Sequence, residues 1–186
     1  MLVSGVIILD YVRLIRSDKS KNWERWLAPE DWAVINGKID ATGWYPYALF
    51  RRLGWAAYKE VAEGDPSLTE QFGRFCMQGV LQVHPELLVS GHPVDSVIKA
   101  ADMWSDLFQG SKVTSAVTQH GDNWVTYRFQ PPEEENDLGS IAAYAYQMSG
   151  QLVELVVKSG ATKVRAEVSP EDHSQLITIR WESGCL

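Results

Sequence analysis

Apolar positions recur three or four residues apart up to Gly110 and two apart in the two hairpin stretches beyond it. The first spacing is that of amphipathic helices and the second that of half-buried strands. Residues 2–16 mix both signals. β-Branched Val3, Val6, Ile7, Val12 and Ile15 favour a strand, while Asp10, Arg13 and Arg16 recur every three residues as on a helix face. A short strand leading into a helix is expected there. After the polar break Asp18–Asn22, two short helical pieces follow around Trp23–Leu27 and Pro29–Ile35, the second with a proline at its first turn.

Gly43-Trp44-Tyr45-Pro46 precedes a helix with Leu49, Phe50, Leu53, Ala57 and Val61 on one face and Gly64 as its stop. Pro46 is expected to preset its first turn, with Trp44 and Tyr45 reaching back over the core. Asp65-Pro66 supplies a cap and a first-turn proline for a helix burying Leu68, Phe72, Phe75, Cys76 and Val80, which His84-Pro85 interrupts. A further helix starts at Pro93 and buries Val94, Val97, Ile98, Ala101, Trp104 and Phe108 before Gly110.

Strands are predicted over 112–119 and 123–129 around a tight turn at His120-Gly121-Asp122. Pro131–Asn136 is an acidic, proline-led loop. Asp137 then caps a long helix to Ser159, with Leu138, Ile141, Ala142, Ala145, Met148, Leu152, Leu155 and Val156 inward. Two more strands, 162–168 and 175–181, close the chain, with Ile177, Ile179 and Trp181 on one face. With no repeat and no boundary signal, residues 1–186 form a single α+β domain, a helical layer packed on a small, mostly antiparallel sheet.

Composition narrows the function classes. The chain has 186 residues and a net charge of −7, which argues against a nucleic-acid partner, because phosphate contact needs clustered cations. Two cysteines, Cys76 and Cys185, are too few for a disulfide scaffold or a structural zinc site. The apolar run Val6–Leu9 ends at Asp10, far short of the roughly 20 residues of a spanning helix. Without a basic region ahead of it or a cleavage site behind it, it does not read as a signal peptide, so a cytoplasmic protein is expected.

Several short stretches together resemble an uncharacterised bacterial family best populated among myxobacteria. They are Trp26-Leu27-x-x-Glu30-Asp31, Gly43-Trp44-Tyr45-Pro46, Phe72-Gly73-Arg74, the Pro93 helix ending in Trp104, and Gly150…Leu155…Gly160-Ala161…Val164…Ile177-x-Ile179-x-Trp181. The resemblance implies the fold shared by haem nitric-oxide-binding domains, four-vinyl-reductase-type domains and the small subunits of the TRAPP tethering complex. Some members of that superfamily bind a small ligand between the layers, and others are dimeric building blocks. The chain departs from these relatives in two ways. Many carry paired cysteines around the last two strands, where Val164–Ile179 has none and Asp172-His173 occupies the turn. The haem-binding branch grips the propionates with a Tyr-x-Ser-x-Arg motif, which occurs nowhere in this sequence.

Candidate chemistry is sparse. Of His84, His92, His120 and His173, only His84, at a helix end, is placed for axial haem ligation, against the plainer reading of a histidine facing free carbonyls. No H-x-x-x-H or H-E-x-x-H pair, G-x-S-x-G elbow or phosphate loop is present. Cys76 reads as a core thiol, Cys185 as a tail residue, Asp65 and Asp137 as caps, and Glu133–Glu135 as a solvated loop. The eight tryptophans are the anomaly. Large rings normally pack cores. As a set, however, Trp44, Tyr45, Phe72, Trp104 and Tyr127, with His84, outline an apolar inter-layer cleft. Trp23, Trp26 and Trp32 on the weakly amphipathic N-terminal helices are candidate interface anchors.

The reading that follows is a non-enzymatic regulatory or sensory module with no cofactor and no metal. It would act through contact with an unidentified protein partner or as a homodimer, with an apolar small molecule as its ligand. The alternatives are a purely structural homodimeric adaptor without ligand and a haem-based gas sensor.

Overall fold

The computed structural model describes residues 1–110, 113–132, 135 and 137–183. Cys185, Glu133 and Glu134 lie outside the described residues. The chain opens with strand β1 (Leu2–Ser4) and helix α1 (Leu9–Ser17), which buries Tyr11, Val12 and Ile15. A single 3-10 turn, Trp23–Arg25, and helix α2 (Asp31–Asn36) follow. Residues Trp44–Pro46 form strand β2, and Pro46 stands immediately before helix α3 (Tyr47–Glu60) instead of inside its first turn. Fixed extended backbone at Pro46 suits both the strand end and the helix entry.

Helix α4 (Pro66–Val83) is capped as expected: the Asp65 carboxylate accepts from the Ser67 amide at 2.8 Å. Its inward face is Thr69, Gly73, Cys76, Met77 and Val80. Leu68 and Phe75, expected inward, are 41% and 61% exposed. The helix is rotated because Gly73, one of its two glycines, faces the backbone of its neighbour. Helix α5 (Pro93–Asp106) buries Val97, Ala101 and Trp104 and leads into β3 (Phe108–Gln109), while Ile98 faces outward.

Strands β4 (Thr114–Gly121) and β5 (Trp124–Gln130) form a hairpin whose turn is Asp122-Asn123, one residue beyond the expected position. Helix α6 (Leu138–Lys158) starts on the Asp137 carboxylate, which accepts from the amides of Gly139 at 3.0 Å and Ser140 at 3.3 Å. Leu138, the first helical residue, is exposed. Strands β6 (Ala161–Glu171) and β7 (Ser174–Ser183) complete an antiparallel sheet in the order β4-β5-β7-β6. A second antiparallel sheet runs β2-β1-β3. The alternation on β5 and β7 turns Val125, Tyr127, Phe129, Ile177, Ile179 and Trp181 toward α6 and the core.

Helices α4 and α6 cross at backbone contact. A Cβ on Gly73 would lie 2.8 Å from the Gln147 carbonyl carbon, and one on Gly150 would lie 2.7 Å from that of Glu70. The two glycines therefore face each other's helix reciprocally, and the close crossing sets the floor of the cleft described next.

Candidate ligand-binding cleft

The close crossing of α4 and α6, with α3 laid across them, leaves an opening lined by aromatic rings. Phe50 from α3, Phe72 from α4, Tyr144 from α6, Phe108 from β3 and Phe129 from β5 form its walls. Its atom-free space, open mouth included, is about 710 Å³, of which about 40 Å³ can hold the centre of a water molecule. The rings hold one another edge-on. Tyr144 lies 5.3 Å from Phe50 at 85° and 4.9 Å from Phe129 at 62°. Tyr11 lies 6.0 Å from Phe50 and 5.5 Å from Phe72. Such tilted and T-shaped pairs fix ring orientation as well as burying area.

Polar groups sit at two points of the lining. At the rim, the Glu135 carboxylate accepts from the Tyr47 hydroxyl at 3.3 Å, the Arg51 guanidinium at 3.4 Å and the Asp137 amide at 3.1 Å. Deeper in, the Tyr11 hydroxyl donates to Gln147 Oε1. Burial pushes the Tyr11 and Tyr144 hydroxyls well above the usual phenol range, so both stay protonated donors.

A smaller cavity lies behind Gln147, lined by Asp10, Cys76, His84, Trp104 and Gln151, with space of about 20 Å³ for a water centre. That is room for a single water. Burial raises the Asp10 carboxyl against the lowering effect of Arg13, 3.0 Å away. Burial also raises the Cys76 thiol, with the nearby Asp10 charge adding to it, so Cys76 is no nucleophile. His84 Nδ1 faces Glu86 at 2.9 Å.

The residues proposed from sequence are thus divided. Phe72 lines the aromatic cleft, and His84 and Trp104 line the smaller cavity. Tyr127 is fully buried behind the cleft wall, its hydroxyl without a hydrogen-bond partner among the described residues. Trp44 is 39% exposed on edge strand β2, and Tyr45 is spent on the Asp40 loop, its hydroxyl accepting from the Asp40 amide at 2.9 Å. Neither reaches the cleft, because alternation along β2 and its pairing with β1 hold them beside the small sheet. The interface residues turn inward as well. Trp23 is buried and donates to the Asp18 carbonyl at 2.7 Å. Trp26 donates to Glu60 at 2.7 Å, and Trp26 and Trp32 pack on the core. The cleft residues missed from sequence include Tyr11, Tyr47, Phe50, Arg51, Phe108, Phe129, Glu135 and Tyr144. Tyr144 carried a usable signal, a tyrosine among the inward positions Ile141, Ala145 and Met148 of its helix.

An α+β fold with an aromatic cleft between its helical layer and its sheet defines the class of protein. Its architecture is that of H-NOX domains. The chain aligns with an H-NOX protein from S. oneidensis in the Fe(II)NO ligation state at TM-score 0.65 and 9% identity, covering 97% of this chain and 99% of that one. An oxygen-binding H-NOX domain related to soluble guanylate cyclases gives 0.61 at 10% identity, covering 97% and 96%. A variant of an Fe(II) unliganded H-NOX protein from K. algicida gives 0.60 at 14% identity, covering 97% of each. No family model matches the sequence, and no curated protein matches it.

The lining was tested against a haem. Among the described residues no histidine and no cysteine lines the aromatic cleft; the Tyr11 and Tyr144 hydroxyls are held protonated by burial, and those of Tyr47 and Tyr58 donate to Glu135 and to the Gly64 carbonyl, so it offers no ready iron ligand. Arg51, which lines the rim, already faces a buried carboxylate. His84 lines the one-water cavity, away from the aromatic cleft, and its Nδ1 faces Glu86. The residues present do not fit a haem. No group of three or more potential metal ligands occurs among the described residues. Among them, too, no helix is long and apolar enough to cross a membrane.

Proposed function

We propose that this chain is a non-enzymatic sensory module whose aromatic cleft takes a small apolar ligand and signals its occupancy through contact with a protein partner. One observation carries the reading: a ring-lined cleft at the junction of α3, α4, α6 and the sheet, whose only carboxylate among the described residues already accepts from three donors. Walls of that kind bind by burial and shape, and the lining holds no nucleophile paired with a base. Ligand entry between the layers would shift α3 against α6 and so alter the outer helical surface. The contact is with a separate protein or a second copy of this chain, and Trp23 takes no part in it, being buried. Light scattering at micromolar concentration separates the two.

A haem-based gas sensor is the second reading, favoured by the fold neighbours, which are described in Fe(II), nitric-oxide and oxygen-bound forms. The cleft lining speaks for the first. Native mass spectrometry of protein purified from its own host decides between them. A retained apolar molecule, lost in Ala143→Phe where the added ring fills the cleft, supports the proposal. A Soret band at one haem per chain overturns it in favour of the gas sensor. Protein with neither is an adaptor without ligand.

A further inference from the structure

Tyr144 is the one feature of the cleft that packing alone leaves unexplained. Its ring is gripped edge-on by Phe50 and Phe129, so its direction is fixed. Its hydroxyl makes no hydrogen bond among the described residues, and two acceptors of the lining, Gln147 and Glu135, have donors of their own. Gln147 Oε1 is taken by Tyr11, and Glu135 by Tyr47, Arg51 and the Asp137 amide. Burial keeps the hydroxyl protonated, hence a donor. Tyr144 is only partly buried and its hydroxyl is not among the buried atoms left without a partner, so it opens onto the cleft space, where a phenylalanine would fill the same wall without offering a donor.

The charge of the rim restricts the ligand further. Arg51, the cation in the lining, faces Glu135 at 3.4 Å, and the Glu135 side chain is 2% exposed. A ligand carboxylate brought to Arg51 would meet that fixed, buried negative charge. A ligand cation would have to displace Arg51 or share Glu135 with it and two further donors. Gly54, Ala57 and Ala143 give the lining positions without bulk, and because the space for water centres is only about 40 Å³, a ring enters by parting the walls at the open mouth.

We infer that the cleft takes a neutral, flat aromatic molecule of one or two rings carrying a hydrogen-bond acceptor, and that the Tyr144 hydroxyl donates to that acceptor. The inference rests on the cleft being a ligand site, and the experiment separates the two claims. The probes are naphthalene, which has the rings and no acceptor, quinoline, which adds a neutral ring nitrogen, and 2-naphthoate, which adds a negative charge. Affinities are measured by ligand-observed NMR on the full chain and on Tyr144→Phe. Quinoline is expected to bind about five- to tenfold more tightly than naphthalene, the worth of one buried neutral hydrogen bond, and 2-naphthoate most weakly. In Tyr144→Phe the quinoline preference disappears while naphthalene binding is unchanged, which also reports that the cleft is intact. Equal binding of quinoline and naphthalene, or a preference that survives Tyr144→Phe, overturns the donor role and leaves the cleft reading standing. Tightest binding of 2-naphthoate overturns neutrality and assigns recognition to Arg51. Failure of every probe to bind overturns the cleft reading and this inference with it.

Discussion

Adding one methyl group at the α4–α6 crossing should do more damage than truncating most side chains. A Cβ at Gly150 would stand 2.7 Å from the Glu70 carbonyl carbon and 3.0 Å from its Cα, with the carbonyl oxygen nearer still. At Gly73 the corresponding atoms are the Gln147 carbonyl carbon at 2.8 Å and the Gln151 amide nitrogen at 3.1 Å. Ordinary contact for a Cβ is 3.4–4 Å, and these neighbours are helix backbone with no rotamer to change. The helices must therefore part by on the order of 1 Å, opening gaps around Met77 and Met148, which are fully buried. Overpacking typically costs about 1–3 kcal/mol, and a rigid backbone clash belongs at or above the top of that range. Replacing glycine by alanine in a helix returns about 1 kcal/mol. The net expectation is about 2–3 kcal/mol lost for Gly150→Ala, a fall in melting temperature of roughly 4–12 °C in a chain this long. Gly91→Ala is the control, because nothing lies within 4 Å of its Cβ position and only its φ of +76° is disturbed. Urea midpoints at constant slope measure both variants against the parent chain. If Gly150→Ala shifts the midpoint no more than Gly91→Ala does, the reciprocal-contact argument is wrong.

Two further outcomes are expected. Arg52→Ala should cost about 3 kcal/mol in urea unfolding, because it strands the Asp31 carboxylate, 2% exposed and held by two bonds of 2.7 Å; a loss within that of an exposed surface variant would refute a structural role for the pair. Burial raises the Asp10 carboxyl, so the folded state holds its proton more tightly than the unfolded chain. That contribution to stability is complete below the ordinary carboxylate value of 3.8 and is lost as pH rises through the raised folded value. Asp10→Asn should remove this decline, and identical pH–stability profiles for the two proteins would contradict it.

Much of the architecture was legible because it rests on local signals. The caps at Asp65 and Asp137, the Pro93 start and the period-two run Ile177-Ile179-Trp181 each follow from a residue's own backbone chemistry or from alternation. The cleft was harder to read, since it is made by crossing geometry that no single segment encodes. Aromatic residues were assigned to it by size, and size does not say which rings reach the same place. Trp44 and Tyr45 are adjacent to the cleft-lining Tyr47 in sequence and yet outside the cleft, because β2 pairs with β1 and turns them onto the small sheet. The apolar spacing of α4 puts Leu68 and Phe75 inward, and the rotation that exposes them is dictated by Gly73 meeting Gln147.

Those glycines also show why a fold shared at 9–14% identity leaves the chemistry of the cleft open. What a close helix crossing requires is the absence of a Cβ at two positions and apolar volume around them. Many sequences meet that condition, and it says nothing about what lines the opening above. The lining is set separately, by whether a position such as 144 carries a phenol, a phenyl ring or an aliphatic group, and such a change leaves the crossing untouched. Phe72-Gly73-Arg74 and Gly150, two of the stretches that suggested the family resemblance, include the two residues at this crossing. They therefore report the fold, and they would be present whether the cleft held a haem, a neutral aromatic molecule or nothing. Function has to be argued from Tyr144, Glu135 and Arg51, residues that the crossing does not need.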